Sequence, residues 1–186
     1  MLVVGIDPGN TSGVAFMFGV DADDGGWERV VLDEVITARA DSVGVDWWTE
    51  SGVKCQDVAW WISEVCMQER EAGEDILIVM EDFVLSPTKV GKGAGGRNAV
   101  SPVLVGGLLW KMIRDWLDVD VAGEGFRDDG GDVSGVRMVI SSPSAKKAIG
   151  DGKMRTILEH DDTSGERSGG HSVDALRHCV LAVRGL

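Results

Sequence analysis

The 186-residue sequence has no tyrosine, three cysteines, four prolines and only 18 basic residues against 31 acidic ones. No apolar run approaches the roughly 20 residues that a membrane helix needs, which excludes a membrane span and a membrane partner. Cys55, Cys66 and Cys179 form no CxxC pair. That excludes a disulfide framework, and so sparse and odd a set suits a reducing cytoplasm. No basic segment precedes the apolar start Leu2-Val3-Val4, and Asp7 interrupts it, so no secretory signal peptide is expected. Internal repeats and low-complexity tracts are also missing. Seven tryptophans stand against the absent tyrosine, and no function follows from that imbalance.

Positive charge is the scarcest global resource. The net charge is −13 and the pI about 4.5, which argues against nucleic-acid binding, because such proteins carry a positive footprint. The deficit is uneven. Between Phe83 and Arg114 stand five basic residues (Lys89, Lys92, Arg97, Lys111, Arg114) and no acid, whereas six acids face Arg127 alone between Asp118 and Asp132. A local basic strip therefore survives inside an acidic chain.

What is present is a globular composition, 44% hydrophobic and 26% charged. Its length suits one domain over residues 1–186. Folding would reduce about 29,000 Å² of surface to about 8,700 Å², so about 70% can be buried without staples.

The chain reads as three strands, then alternating helices and strands. Leu2–Asp7 is a short apolar run closed by Pro8-Gly9. Residues 14–20 pair with it as a hairpin, and 28–36 form a third strand. Residues 40–52, with Trp47-Trp48, follow no clear period. A helix is predicted over 56–71, with Val58, Trp61, Ile62, Val65 and Cys66 on one face and Gly73 ending it. Ile76–Glu81 is a continuous apolar strand of the kind covered on both faces. A loop rich in glycine and cations spans 86–98, and an apolar helix 102–117. An acidic loop or insertion spans 118–135, and a fifth strand 136–140. Ser142-Pro143 caps a short helix that Gly150 stops, 154–160 is helical, 161–170 is a loop, and His171–Val183 is the last helix. The class is α/β: a mixed five-stranded sheet, strands 1–3 an antiparallel meander and strands 4 and 5 parallel, flanked by helices.

Three acids then attract interest. Asp7 ends the first strand and Glu81 the fourth, at the carboxyl ends where ligands sit in open α/β sheets. Asp174 lies on the last helix, three residues after His171, so the two share a face. Clustered carboxylates repel, and divalent cations such as Mg²⁺ or Mn²⁺ relieve that cost. The plainer readings are a turn at Asp7, an exposed strand end at Glu81, a helix-dipole partner at Asp174 and a structural histidine at His171. The joint arrangement favours the functional reading.

Four segments, in order, resemble the RuvC family of Holliday-junction resolvases within the RNase H-like superfamily. They are Val4-Gly5-Ile6-Asp7-Pro8-Gly9, Ile78-Val79-Met80-Glu81-Asp82-Phe83, Pro143-Ser144-Ala145-Lys146-Lys147-Ala148-Ile149-Gly150 and His171-Ser172-Val173-Asp174-Ala175-Leu176. Val103–Trp110 is similar to the family's small-residue helix between the second and third motifs. The resemblance implies an RNase H-like endodeoxyribonuclease that hydrolyses phosphodiesters with two metal ions per site, Mg²⁺ with Mn²⁺ able to substitute. It implies that Asp7 bridges the metals, Glu81 and Asp174 bind one each, and His171 is a ligand or positions the attacking water. Lys146 and Lys147 would hold the scissile-strand phosphates, and Phe83 would stack on an unpaired base. Lys89, Lys92, Arg97, Lys153 and Arg155 would add DNA contacts. The implied partners are branched DNA (four-way junctions, forks and flaps) and a second copy in a homodimer, in the cytoplasm of a bacterial cell or a phage-infected host. The strong acidity, the insertion at 118–135 and the short stretch after Gly150 depart from the family and resemble bacteriophage-type members.

Other classes remain. The Gly5-Ile6-Asp7-Pro8-Gly9 turn superficially resembles the phosphate hairpin of actin/Hsp70-like ATPases, but the chain is too short for that two-lobed fold. A non-catalytic RNase H-like nucleic-acid-binding module and an RNA-processing nuclease of the same superfamily are the nearer alternatives.

Overall fold

The computed structural model describes residues 1–21, 23–38, 45–82, 96–119, 135–142, 148–160 and 170–185, with 45–47, 96–101 and 160 as backbone. The elements are β1 (Leu2–Asp7), β2 (Thr11–Phe18), β3 (Arg29–Ile36), α1 (Val45–Glu71), β4 (Ile76–Glu81), α2 (Gly96–Leu117), β5 (Val136–Ser141), α3 (Asp151–His160) and α4 (His171–Val183). The sheet order is β3-β2-β1-β4-β5. β1–β2 and β2–β3 are antiparallel, and β1–β4 and β4–β5 parallel, as the pattern predicts.

Alternation along the strands divides the core in two. Leu2, Val4 and Ile6 of β1 and Ile76, Ile78 and Met80 of β4 face a layer built by α1 and α2. Val3 of β1 and Leu77 and Val79 of β4 face the opposite layer, built by α3 and α4. Every residue of β1 and β4 is buried, which is why both read as unbroken apolar runs and not as alternating ones.

Three helices start earlier than the sequence suggests, α3 by three residues, at Asp151. α1 begins at Val45 and runs through Gly52. A mid-helix glycine costs about 1 kcal/mol, and the buried stripe Ser51, Cys55, Val58, Ala59, Ile62 and Cys66 offsets it. Trp61 and Val65, expected on that face, are half-buried beside it. α2 begins at Gly96, so 96–98 belong to a helix and Pro102 lies inside it. Its buried stripe is Val105, Leu109, Ile113 and Leu117, four-residue steps against α1 and the sheet that hold the helix across the proline. The expected second strand is shifted to Thr11–Phe18 because Asp7 pairs with Gly13 immediately after a short turn. The loop at 86–95, most of 118–135, 143–147 and 161–169 lie outside the described residues.

The paired tryptophans divide as indoles on neighbouring helix positions must. Trp61 packs edge-on against Phe16 with centroids 5.1 Å apart, while Trp60 and Trp48 are exposed. Among the described residues no helix is long and apolar enough to cross a membrane.

Candidate active site at the strand ends

The register assembles one row of side chains across all five strands. Glu34 of β3 stands level with Gly13 of β2, and Gly13 with Asp7 of β1. Ile6 pairs with Met80, which sets the next residues, Asp7 and Glu81, side by side. Glu81 in turn is level with Ser141 of β5. By alternation this row lies on the face covered by α4. Asp7 is 1% exposed and Glu81 5%, so two carboxylates meet at the buried edge of the core, where like charges are costly.

The turn after Asp7 is fixed, and not only by proline. The Thr37 hydroxyl donates to the Gly9 carbonyl at 2.6 Å, and the Thr37 amide donates to the Asn10 carbonyl at 2.9 Å. The Ser12 hydroxyl stands 2.8 Å from that of Thr37. Both side chains are fully buried. This turn therefore holds the end of β1 in one position.

α4 lies across the row because two strands present no side chain beneath it. A Cβ on Gly13 would stand 1.9 Å from the His171 carbonyl oxygen, and one on Gly5 would stand 2.1 Å from that of Ala175. The helix start is capped from a distant strand: the Ser172 amide donates to Glu34 Oε1 at 3.2 Å. The N-cap residue, Gly170, makes no side-chain cap. An acid at a helix N-terminus suits the dipole.

So seated, α4 sets a base against each acid. His171 Nδ1 is 2.7 Å from Asp7 Oδ2. The carboxylate accepts, which puts the ring proton on Nδ1. The fully buried His178 has Nε2 3.6 Å from Glu81 Oε2 and Nδ1 2.9 Å from the Ser141 hydroxyl. Arg177 Nη1 donates to Asp174 Oδ1 at 2.6 Å, and its Nη2 bonds Asp151 at the start of α3. His178, Arg177, Ser141 and Glu34 were missed by sequence reasoning. His178 had a signal, since positions 171, 174 and 178 fall on one helical stripe. Arg177 reads in sequence as an ordinary i,i+3 partner, and Ser141 and Glu34 carry no signal.

The structure thus sets Asp7 beside Glu81 at adjacent strand ends and bonds His171 to Asp7, and places Asp174 on the same helix as His171, bonded to Arg177. Lys153 and Arg155 are exposed on α3, whose other face buries Met154, Ile157 and Leu158. Arg97 lies in α2, with its side chain undescribed, and Phe83, Lys89, Lys92, Lys146 and Lys147 lie outside the described residues. On the other side of the β4 end, Met80, Pro102, Val103, Gly106 and Trp110 line a groove that reaches Glu81.

Carboxylates with an imidazole fit a hard divalent cation in donor chemistry. Two of them are nearly buried at adjacent strand ends, where a cation would relieve their repulsion. Among the described residues no three His, Cys, Asp or Glu side chains are gathered closely enough to hold one; Asp174 faces Arg177 instead.

No protein-family model matches this sequence, and no curated protein matches it. Solved structures do. The structure of Thermus thermophilus RuvC aligns over 100% of this chain and 95% of that one, with a TM-score of 0.57 and 16% identity. The fold is RuvC-like. The T. thermophilus RuvC complex with a Holliday-junction substrate aligns with a TM-score of 0.53 at 17% identity, over 100% of this chain and 94% of that one. The mixed five-stranded sheet, its order and its strand directions match the RNase H-like fold of RuvC.

Proposed function

We propose that this chain is a metal-dependent, structure-selective endodeoxyribonuclease that resolves Holliday junctions. The observation that carries the reading is the row across the sheet, in which Asp7 and Glu81 meet under the helix bearing His171 and Asp174. The RuvC-like fold supports it, and one solved relative in fold is bound to a Holliday-junction substrate. Asp7, Glu81, His171 and Asp174 would hold Mg²⁺, or Mn²⁺ in its place, as two ions per site. The metals would supply an activated water and neutralise charge on the phosphate in an in-line displacement. His171, bonded to Asp7, orients that carboxylate and stands half-exposed where a substrate phosphate would enter.

Lys146, Lys147, Lys153 and Arg155 would grip the backbone of the cut strand, with Lys89, Lys92 and Arg97 on flanking arms. Phe83 would stack on an unpaired base. One nuclease domain, residues 1–186, would work as a homodimer, because a four-way junction needs two symmetric nicks. Forks and flaps are further substrates, and the cytoplasm of a bacterial or phage-infected cell is the compartment.

One observation favours a second reading, a non-catalytic binding module: Asp174 is bonded to Arg177, and among the described residues no three acids or imidazoles gather closely enough to hold an ion. A substrate panel separates the two. Purified protein is given a four-way junction, a fork, a flap, linear duplex and a structured RNA, with Mg²⁺ and with Mn²⁺. Paired symmetric nicks in the junction are expected. Cleavage confined to the RNA would move the function to RNA processing, and tight junction binding without cleavage in either metal would establish the binding module.

A further inference from the structure

We infer that Arg177 is an internal counter-cation of the acidic site, which competes with a divalent ion for Asp174 and ties that carboxylate to helix α3. The inference rests on the metal-site reading above and adds to it a residue that sets how tightly the site takes its metal.

The argument starts from burial. The Arg177 side chain is 9% exposed. A guanidinium cannot shed its charge at any ordinary pH, so a buried one must be paired. Among the described residues Arg177 meets acids from two helices, through different nitrogens. Nη1 reaches Asp174, three residues back on α4, and Nη2 reaches Asp151, the first residue of α3. An exposed i,i+3 pair is worth only a few tenths of a kcal/mol and reads as surface decoration. Here Arg177 is buried and Asp174 only 24% exposed, so the contact sits at the edge of the core where α3 meets α4.

Its place in the site gives it a consequence. Asp174 belongs to the helix whose His171 is bonded to Asp7. A cation that takes the Asp174 carboxylate must take it from Arg177, which keeps its second partner, Asp151, 74% exposed at the helix start. The fork therefore offers an exit: Arg177 can release Asp174 without being left buried and unpaired. Metal capture at Asp174 is thereby coupled to the contact that orients α3, the helix carrying Lys153 and Arg155.

The test is direct binding, independent of cleavage. Mn²⁺ is titrated calorimetrically into metal-free wild-type protein, Arg177→Met, Arg177→Gln and Asp7→Asn, each checked for folding by circular dichroism. Arg177→Met is expected to bind Mn²⁺ about tenfold more tightly than wild type, the size expected for removing one positive charge from beside a partly buried carboxylate. Loss of a merely structural arginine would weaken binding or leave it alone, so the direction is diagnostic. Equal or weaker affinity in folded Arg177→Met overturns the inference while leaving the metal site standing, provided Asp7→Asn loses binding. Unchanged affinity in Asp7→Asn overturns the metal site, and the inference with it. If Arg177→Met does not fold, Arg177→Gln decides: it removes the charge and keeps hydrogen-bonding groups, so tighter binding supports the competition and wild-type or weaker affinity overturns it.

Discussion

At Asp7 a carboxylate that is 1% exposed keeps a 2.7 Å hydrogen bond to His171, and at Glu81 one that is 5% exposed faces the imidazole of His178. Such side chains persist at a strand end only where a partner or a ligand repays their desolvation. Glu81→Gln keeps shape and removes charge. It is expected to lower junction cleavage by at least about 10³-fold, as removal of a catalytic group does, with junction affinity unchanged or higher because repulsion toward phosphate falls. Gel-shift and cleavage assays on the same preparation check this, and wild-type cleavage by the variant would remove Glu81 from the site. The cysteines show the opposite use of burial. Burial pushes the Cys55 and Cys66 thiols up to about 12 from an ordinary 9.0, and raises Cys179 as well. The folded state thus holds protons that the unfolded chain gives up. This stability is fully present below about pH 9 and is lost as pH rises toward 12. Thiol reagents at neutral pH are expected to label none of the three in native protein and all three in denaturant, and alkaline unfolding should set in above pH 9. Rapid native labelling would contradict the packing of α1 and α4.

Among the elements, α4 does the most. Its bounds, His171–Val183, were legible because its apolar stripe and polar start are local signals. Its seat was not legible, because Gly5 and Gly13 become meaningful only once the backbone of α4 lies against them. The early starts of α1 and α2 were hidden for a related reason: Gly52 and Pro102 are local breakers that tertiary packing overrides. Gly13→Ala must push α4 away, since its Cβ would meet the His171 carbonyl. Overpacking of this kind costs about 1–3 kcal/mol, or roughly 2–12 °C in Tm for a domain of this size. Thermal unfolding is expected to show that loss together with a loss of cleavage, because His171 would leave Asp7. An unchanged Tm would mean that α4 is not seated as described.

On the scale of the whole molecule, three β runs and then alternation gave the antiparallel meander and the parallel β4 and β5, and the structure adds that β1 lies beside β4. Asp7 and Glu81 were readable as neighbours because strand ends converge once the order is known. His171 was readable too, on the helix face of Asp174, but His178 and Arg177 were not, because each depends on the rotation of α4 against β5 and α3. A chain with a net charge of −13 can hold DNA only through local basic surface, so junction affinity is expected to fall steeply between about 50 and 200 mM salt. A flat response in fluorescence anisotropy would argue against backbone contacts.

The central claim is that the acids at the strand ends make a metal-dependent nuclease. The most direct test is cleavage of a synthetic four-way junction with Mn²⁺, with Mg²⁺ and with chelator, by wild-type protein and by Asp7→Asn. The account predicts paired nicks with either metal, none with chelator, and none from Asp7→Asn although that variant still binds the junction. Cleavage that survives chelator, or that Asp7→Asn retains, would contradict it.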